Sequence, residues 1–138
     1  MKKFLSFLVI GTFCMVATVC AALIDDAISW AYNQGLTKYR TSANFYPHNV
    51  LRRDEAAKFY VNFAEFLGKT TYTVEASACN SFTDLHKAHN DLLPYITASC
   101  RMGIFKGDNG KFLPTNSLTN AQAVTVLMRI IDGNQSES

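Results

Sequence analysis

Gly103-Ile104-Phe105-Lys106-Gly107, Asp108-Asn109-Gly110-Lys111-Phe112-Leu113-Pro114 and Thr115-Asn116-Ser117-Leu118-Thr119-Asn120-Ala121-Gln122-Ala123 form one unbroken stretch whose outline occurs twice in the chain. The earlier version runs Gly35-Leu36, then Phe45-Tyr46-Pro47, then Leu51-Arg52-Arg53-Asp54-Glu55-Ala56. Pro47 and Pro114 are 67 residues apart, as are Leu51 and Leu118, while Gly35 and Gly103 are 68 apart. Self-similarity at a nearly fixed period marks a modular array. Modules built to stack are more often binding or anchoring units than catalytic ones.

Hydrophobic periodicity fills in the elements around this outline. Asp25 and Asp26 precede Ala27, Ile28, Trp30 and Ala31, and Gly35 follows, which predicts an Asp-capped short helix. Residues 37–50 lack a helical period and read as a structured loop. Ala56, Phe59, Tyr60, Phe63, Phe66 and Leu67 recur at helical spacing until Gly68. After a Thr/Ser/Ala-rich connector over 69–81, Leu93, Ile96 and Cys100 predict a helix that Gly103 stops. Val124, Leu127, Met128 and Ile131 predict the inward face of a last helix, with Gly133 behind it. Each copy is helix, loop, helix. The expected fold is all-α, with repeat 1 over 23–68 and repeat 2 over 82–133 sharing a core built from Ala56, Phe59, Phe63, Val124, Leu127, Met128 and Ile131. Residues 134–138 read as a polar tail.

Thr119-Asn120-Ala121-Gln122 fits a capping box, in which a Thr hydroxyl and a Gln side chain satisfy one another's backbone N–H groups. In the first copy Glu55 keeps its role, whereas Arg52 has no acceptor, so half the box is lost.

Residues 1–22 read as a secretory signal: Lys2 and Lys3, an apolar run from Phe4, and small residues ending at Ala21-Ala22. The competing reading is an uncleaved membrane anchor, since the apolar run continues to Ile24. Cleavage leaves about 116 residues, with 11 basic side chains (13 less Lys2 and Lys3) against 11 acidic ones. Nothing in that balance suggests a nucleic-acid binder, which would show a basic patch or stripe. Of four cysteines, Cys79 and Cys100 remain, and in an exported chain they read as a disulfide. Free thiols, or a zinc site with His86 and His89, are the alternatives, but zinc ligands usually come in tight pairs such as C-x-x-C. No nucleophile motif accompanies the three histidines, so the chain reads as a non-enzyme with no cofactor and no metal.

Phe82-x-Asp84, Gly103-Ile104-x-x-Gly107, Gly110-x-Phe112-x-Pro114 and Leu118-Thr119, with Trp30-Ala31, Gly35-Leu36, Phe45-x-Pro47 and Leu51-x-Arg53-x-Glu55-Ala56, resemble the S-layer homology family of bacterial envelope modules. The resemblance implies an α-helical module in the cell envelope, holding an anionic and often pyruvylated wall polysaccharide in grooves of a three-module unit. In that family an Arg at the start of the repeat's last helix binds the carboxylate. The role falls on Arg53 here, and the matching position of the second copy is Asn120. A guanidinium at an exposed helix start, beside free N–H groups, suits an anion. Trp30 and Tyr46 are aromatic candidates for the same sugar, although Trp30 reads first as a filler of the core between helices. The alternative is an assembly subunit that completes a three-module unit by pairing with other envelope proteins. Membrane association follows only if the signal stays uncleaved.

Overall fold

The computed structural model describes residues 21–132. Among them the structure is helical without a strand, and extended segments meet only in two isolated bridges, Arg52 with Ser117 and Asp108 with Lys111. The signal expected over 1–22 lies outside the described residues up to residue 20, as do Gly133 and the polar tail. Among the described residues, no helix is long and apolar enough to cross a membrane. The chain divides into two compact units, Met1–His48 and Asn49–Ser138.

In the first unit α1 is already helical at 21 and continues to 33. Asp25 and Asp26 therefore lie inside the helix rather than capping it, because Ala and Leu ahead of them are good helix formers. Gly35 ends α1 at φ +72°, with the Leu36 N–H on the Ala31 carbonyl (2.9 Å) and its own N–H on that of Tyr32 (3.0 Å). This is a Schellman closure, which needs a left-handed residue that glycine supplies without strain. Gly103 closes its helix the same way, with Ile104 on the Ser99 carbonyl. The recurring Gly-Leu and Gly-Ile pairs are thus helix stops whose following apolar residue is buried, Leu36 at 5% exposure and Ile104 at 2%. A short helix, α2 (Ser42–Phe45), interrupts the expected loop.

The second unit contains α3 (Arg53–Phe66), α4 (Ala76–Cys79), α5 (Leu93–Arg101) and α6 (Asn120–Asp132). Two 3-10 turns, Leu85–Lys87 and Asn90–Leu92, hold the stretch carrying His86 and His89. Its core gathers Ala56, Ala57, Tyr60, Val61 and Ala64 of α3 around Ile96, Phe105, Phe112, Val126 and Ile130. Phe59 and Phe63 are partly buried against this core, their rings stacked at 6.5 Å. α3 thus shares one core with α5, α6 and the loop between them.

One expectation about α6 fails. Val124, Met128 and Ile131 are exposed at 58%, 44% and 54%, while Val126 and Ile130 face the core and Leu127 is partly buried. Residues 123–131 are apolar except for Thr125 and Arg129, so their periodicity admits more than one inward face. Tertiary contact, not amphipathicity, sets the rotation of this helix. The connector over 69–81 also holds a helix, α4, whose Cys79 is bonded to Cys100 of α5 with Cα atoms 5.7 Å apart. Closing a 21-residue separation stabilises the fold by roughly 3 kcal/mol in the loop-entropy account.

Candidate functional site

The Phe-x-Asp and Phe-x-Pro motifs of the second copy are two halves of one device. Asp84, 4% exposed, accepts from the Phe112 N–H at 2.8 Å and the Leu113 N–H at 2.9 Å. Those bonds hold Leu113 at φ +61°, a left-handed conformation that non-glycine residues seldom take. Tyr46, the matching residue of the first copy, stands at φ +52°, so the middle residue of Phe-x-Pro is left-handed in both. The Phe82 ring packs 5.8 Å from that of Phe112 and lies against Gly107, where any Cβ would strike it. Between them Asn109 and Gly110 have φ of +49° and +71°, both positive as a type I′ turn requires.

Pro114 then directs the chain across the start of α3. The Arg53 N–H donates to the Asn116 carbonyl (2.9 Å), the Asp54 N–H to that of Pro114 (3.0 Å), and the Leu118 N–H to that of Leu51 (2.9 Å). The helix-start amides of Arg53 and Asp54, expected to stand ready for an anion, are consumed by the protein. The Glu55 carboxylate accepts from the Arg52 N–H at 3.0 Å, the surviving half of the capping box. In α6 the box is complete, Thr119 with Gln122 at 3.1 and 3.2 Å.

The two arginines at this junction have different tasks. Arg52 forms a two-pronged pair with the fully buried Asp54 carboxylate, at 3.1 Å from Nε and 2.7 Å from Nη2. Arg53 donates from Nε to the Phe112 carbonyl (2.8 Å) and from Nη2 to the Lys106 carbonyl (2.7 Å). Its guanidinium lies 4.8 Å from the Phe105 ring centre and 5.1 Å from that of Phe112. The expectation of an exposed helix start is corrected: Arg53 is half-buried and ties the first copy's helix to the second copy's loop. Burial first, and the positive charge of Arg129 second, push its pKa below the ordinary value.

Arg53 opens onto a groove of about 420 Å³ lined also by Lys106, Asp108, Gln122, Thr125 and Arg129. Arg129 donates from Nη1 to the Ile104 carbonyl at 3.1 Å. Three cations thus border one groove against a single acid, Asp108. The groove is built from the second unit, and neither Trp30 nor Tyr46 lines it. Trp30 is 49% exposed on α1, not a core filler, and Tyr46 is 61% exposed after α2. Arg129 and Lys106 stand at no motif position, and the sequence marks Gln122 only as part of a helix cap. The basic character of Lys106 and Arg129 is plain in the sequence, but their convergence on one groove is not. Among the described residues no group of three or more His, Cys, Asp or Glu side chains is placed to hold a metal. No protein-family model, curated protein or solved structure matches the chain.

Proposed function

We propose that this protein is an exported envelope module that holds an acidic polysaccharide in the groove between Arg53 and Arg129. The observation that carries the reading is the approach of these two guanidinium groups along one open groove. Among the described residues Arg53 is bound there by two carbonyls and by no carboxylate, and Arg129 raises the cost of its charge. An arriving carboxylate relieves that repulsion and finds planar donors suited to two-pronged contact. Gln122 and Thr125 add neutral partners for sugar hydroxyls. The resemblance to S-layer homology modules points to the same class of ligand.

The test is binding of the purified exported protein to wall polysaccharide, with its carboxylates intact or chemically removed. Lys106→Glu is the informative variant, because the side chain is exposed and the carbonyl that Arg53 uses remains. We expect a loss of about 1.5–3 kcal/mol in binding, binding that weakens with added salt, and stability within about 0.5 kcal/mol of wild type. Asn120→Ala, at the position where the second copy lacks the Arg, leaves binding unchanged. Equal binding by wild type and Lys106→Glu, or indifference to the carboxylates, would overturn the proposal.

A further inference from the structure

A second cavity, of about 200 Å³, opens where α3, α5 and α6 end. Ala64, Met102, Ile104 and Ile130, all buried side chains, line its apolar side. Lys69, Thr71 and Thr73 of the connector and Arg129 of α6 line the rest. Gly68, at φ +70°, turns the connector back across the end of α3, and the Lys69 N–H donates to the Ala64 carbonyl at 2.8 Å. Further on, the Thr73 and Val74 N–H groups both donate to the Arg101 carbonyl, at 2.7 and 3.0 Å. The segment that walls the cavity is therefore tied to α3 at one end and to α5 at the other.

The polar groups around this cavity are unbalanced. Helix C-termini favour positive charge, and three of them meet here. Their carbonyls already have donors: Ala64 takes Lys69, Glu65 takes Gly68, Ser99 takes Ile104 and Phe105, and Arg101 takes the connector. The Ile131 carbonyl accepts from the Lys69 ammonium at 2.8 Å, and the Ile104 carbonyl from Arg129 Nη1 at 3.1 Å. An ammonium has three N–H donors and one is spent, which leaves two for an incoming acceptor. Thr71 and Thr73, both exposed, add two hydroxyls. Among the described residues no carboxylate lines the cavity. Donors beside an apolar wall are the complement of an acid with a hydrocarbon body.

We infer that this cavity is a binding site for a small amphiphilic carboxylate, with its head on Lys69 and its apolar body against Met102, Ile104 and Ile130. A cavity of about 150 Å³ holds benzene, so one of about 200 Å³ suits a body of about six carbons. Lys69 does not line the Arg53 groove, so the inference does not depend on the polysaccharide reading.

NMR titration of the purified exported protein, labelled at its methionine and isoleucine methyl groups, tests it with hexanoate, hexanol and hexylammonium, probes of one chain length. We expect hexanoate to shift the Met102, Ile104 and Ile130 methyl signals. Hexanol should bind at least about tenfold more weakly, and hexylammonium more weakly still. Lys69→Met keeps the length of the side chain without its charge and should bring hexanoate down to the affinity of hexanol. Thr71→Val combined with Thr73→Val keeps the shape and removes both hydroxyls, which should weaken hexanoate at least about threefold. That double variant replaces Lys69→Met if the latter misfolds. No shift at those methyl groups, equal binding of the three probes, or hexanoate binding untouched by either variant would overturn the inference. Wall binding by Lys69→Met should equal that of the wild type, so loss of one ligand with the other retained separates the cavity from the groove.

Discussion

Asp84→Asn puts the clamp on the Phe112-Leu113 backbone to a quantitative test. The native carboxylate offers one oxygen to each of two N–H groups, at 2.8 and 2.9 Å, in a site only 4% exposed. An amide keeps one oxygen and turns an NH2 toward the other N–H, so two donors face each other in a buried place. A hydrogen bond to a charged group contributes about 1.5–3 kcal/mol, and a buried donor left without a partner costs about 1–3 kcal/mol. Leu113, at φ +61°, loses part of what holds it there, and the left-handed region costs an L-residue about 1–2 kcal/mol. These contributions overlap, and a net loss of about 3 kcal/mol is expected. At about 4–8 °C per kcal/mol for a unit of this size, the midpoint falls by about 12–24 °C. Thermal and urea unfolding followed by circular dichroism measure both quantities. Asp108→Asn, at an exposed residue of the neighbouring turn, is the control and stays within about 0.5 kcal/mol of wild type. An Asp84→Asn protein as stable as that control would refute the clamp as the organiser of the loop.

Gly107→Ala should destabilise by about 1–3 kcal/mol in the same unfolding assay, because its Cβ meets the Phe82 ring and stands 2.9 Å from the Lys111 carbonyl oxygen. Val126→Ala should cost about 2 kcal/mol, for two buried methyl groups and the space they leave, while Val124→Ala costs under about 0.5 kcal/mol. Equal effects at the two positions would contradict the rotation of α6. Burial raises the Tyr60 phenol above its ordinary pKa, so the fold favours the neutral form. Its contribution is intact below about pH 10 and is lost as pH rises through the raised value. Midpoints compared at about pH 8 and about pH 11 should therefore fall less for Tyr60→Phe than for wild type.

Local chemistry was the legible part of this fold. Gly35 and Gly103 announced helix ends, Thr119 and Gln122 announced a capping box, and the cysteines announced their bond, because each depends on groups near in sequence or on a compartment rule. The face of α6 was not legible, since Val124 and Val126 are equally apolar and only contact with α3 distinguishes them. Arg53, expected at an exposed helix start, has surroundings that its position in the sequence does not disclose. Its partners, the Lys106 and Phe112 carbonyls, lie 53 and 59 residues away, and carbonyls leave no mark in a sequence. Trp30 failed as a core filler for a related reason, since the same residue type serves a core or a surface with equal ease.

The junction at the start of α3 also dictates the order in which the second unit takes shape. The helix begins at Arg53, but the carbonyls that receive its first amides belong to Pro114 and Asn116. A chain made from the N-terminus onward carries all of α3 long before those acceptors exist. Contacts this distant in sequence are slow to form, because the intervening loop must close before they are rewarded. Until residue 116 is made, α3 is a helix with an open end and no third helix to cover its core. The second unit consequently completes its core only once residues 114–130 have been made, and α3 stays without that core over the intervening stretch of elongation.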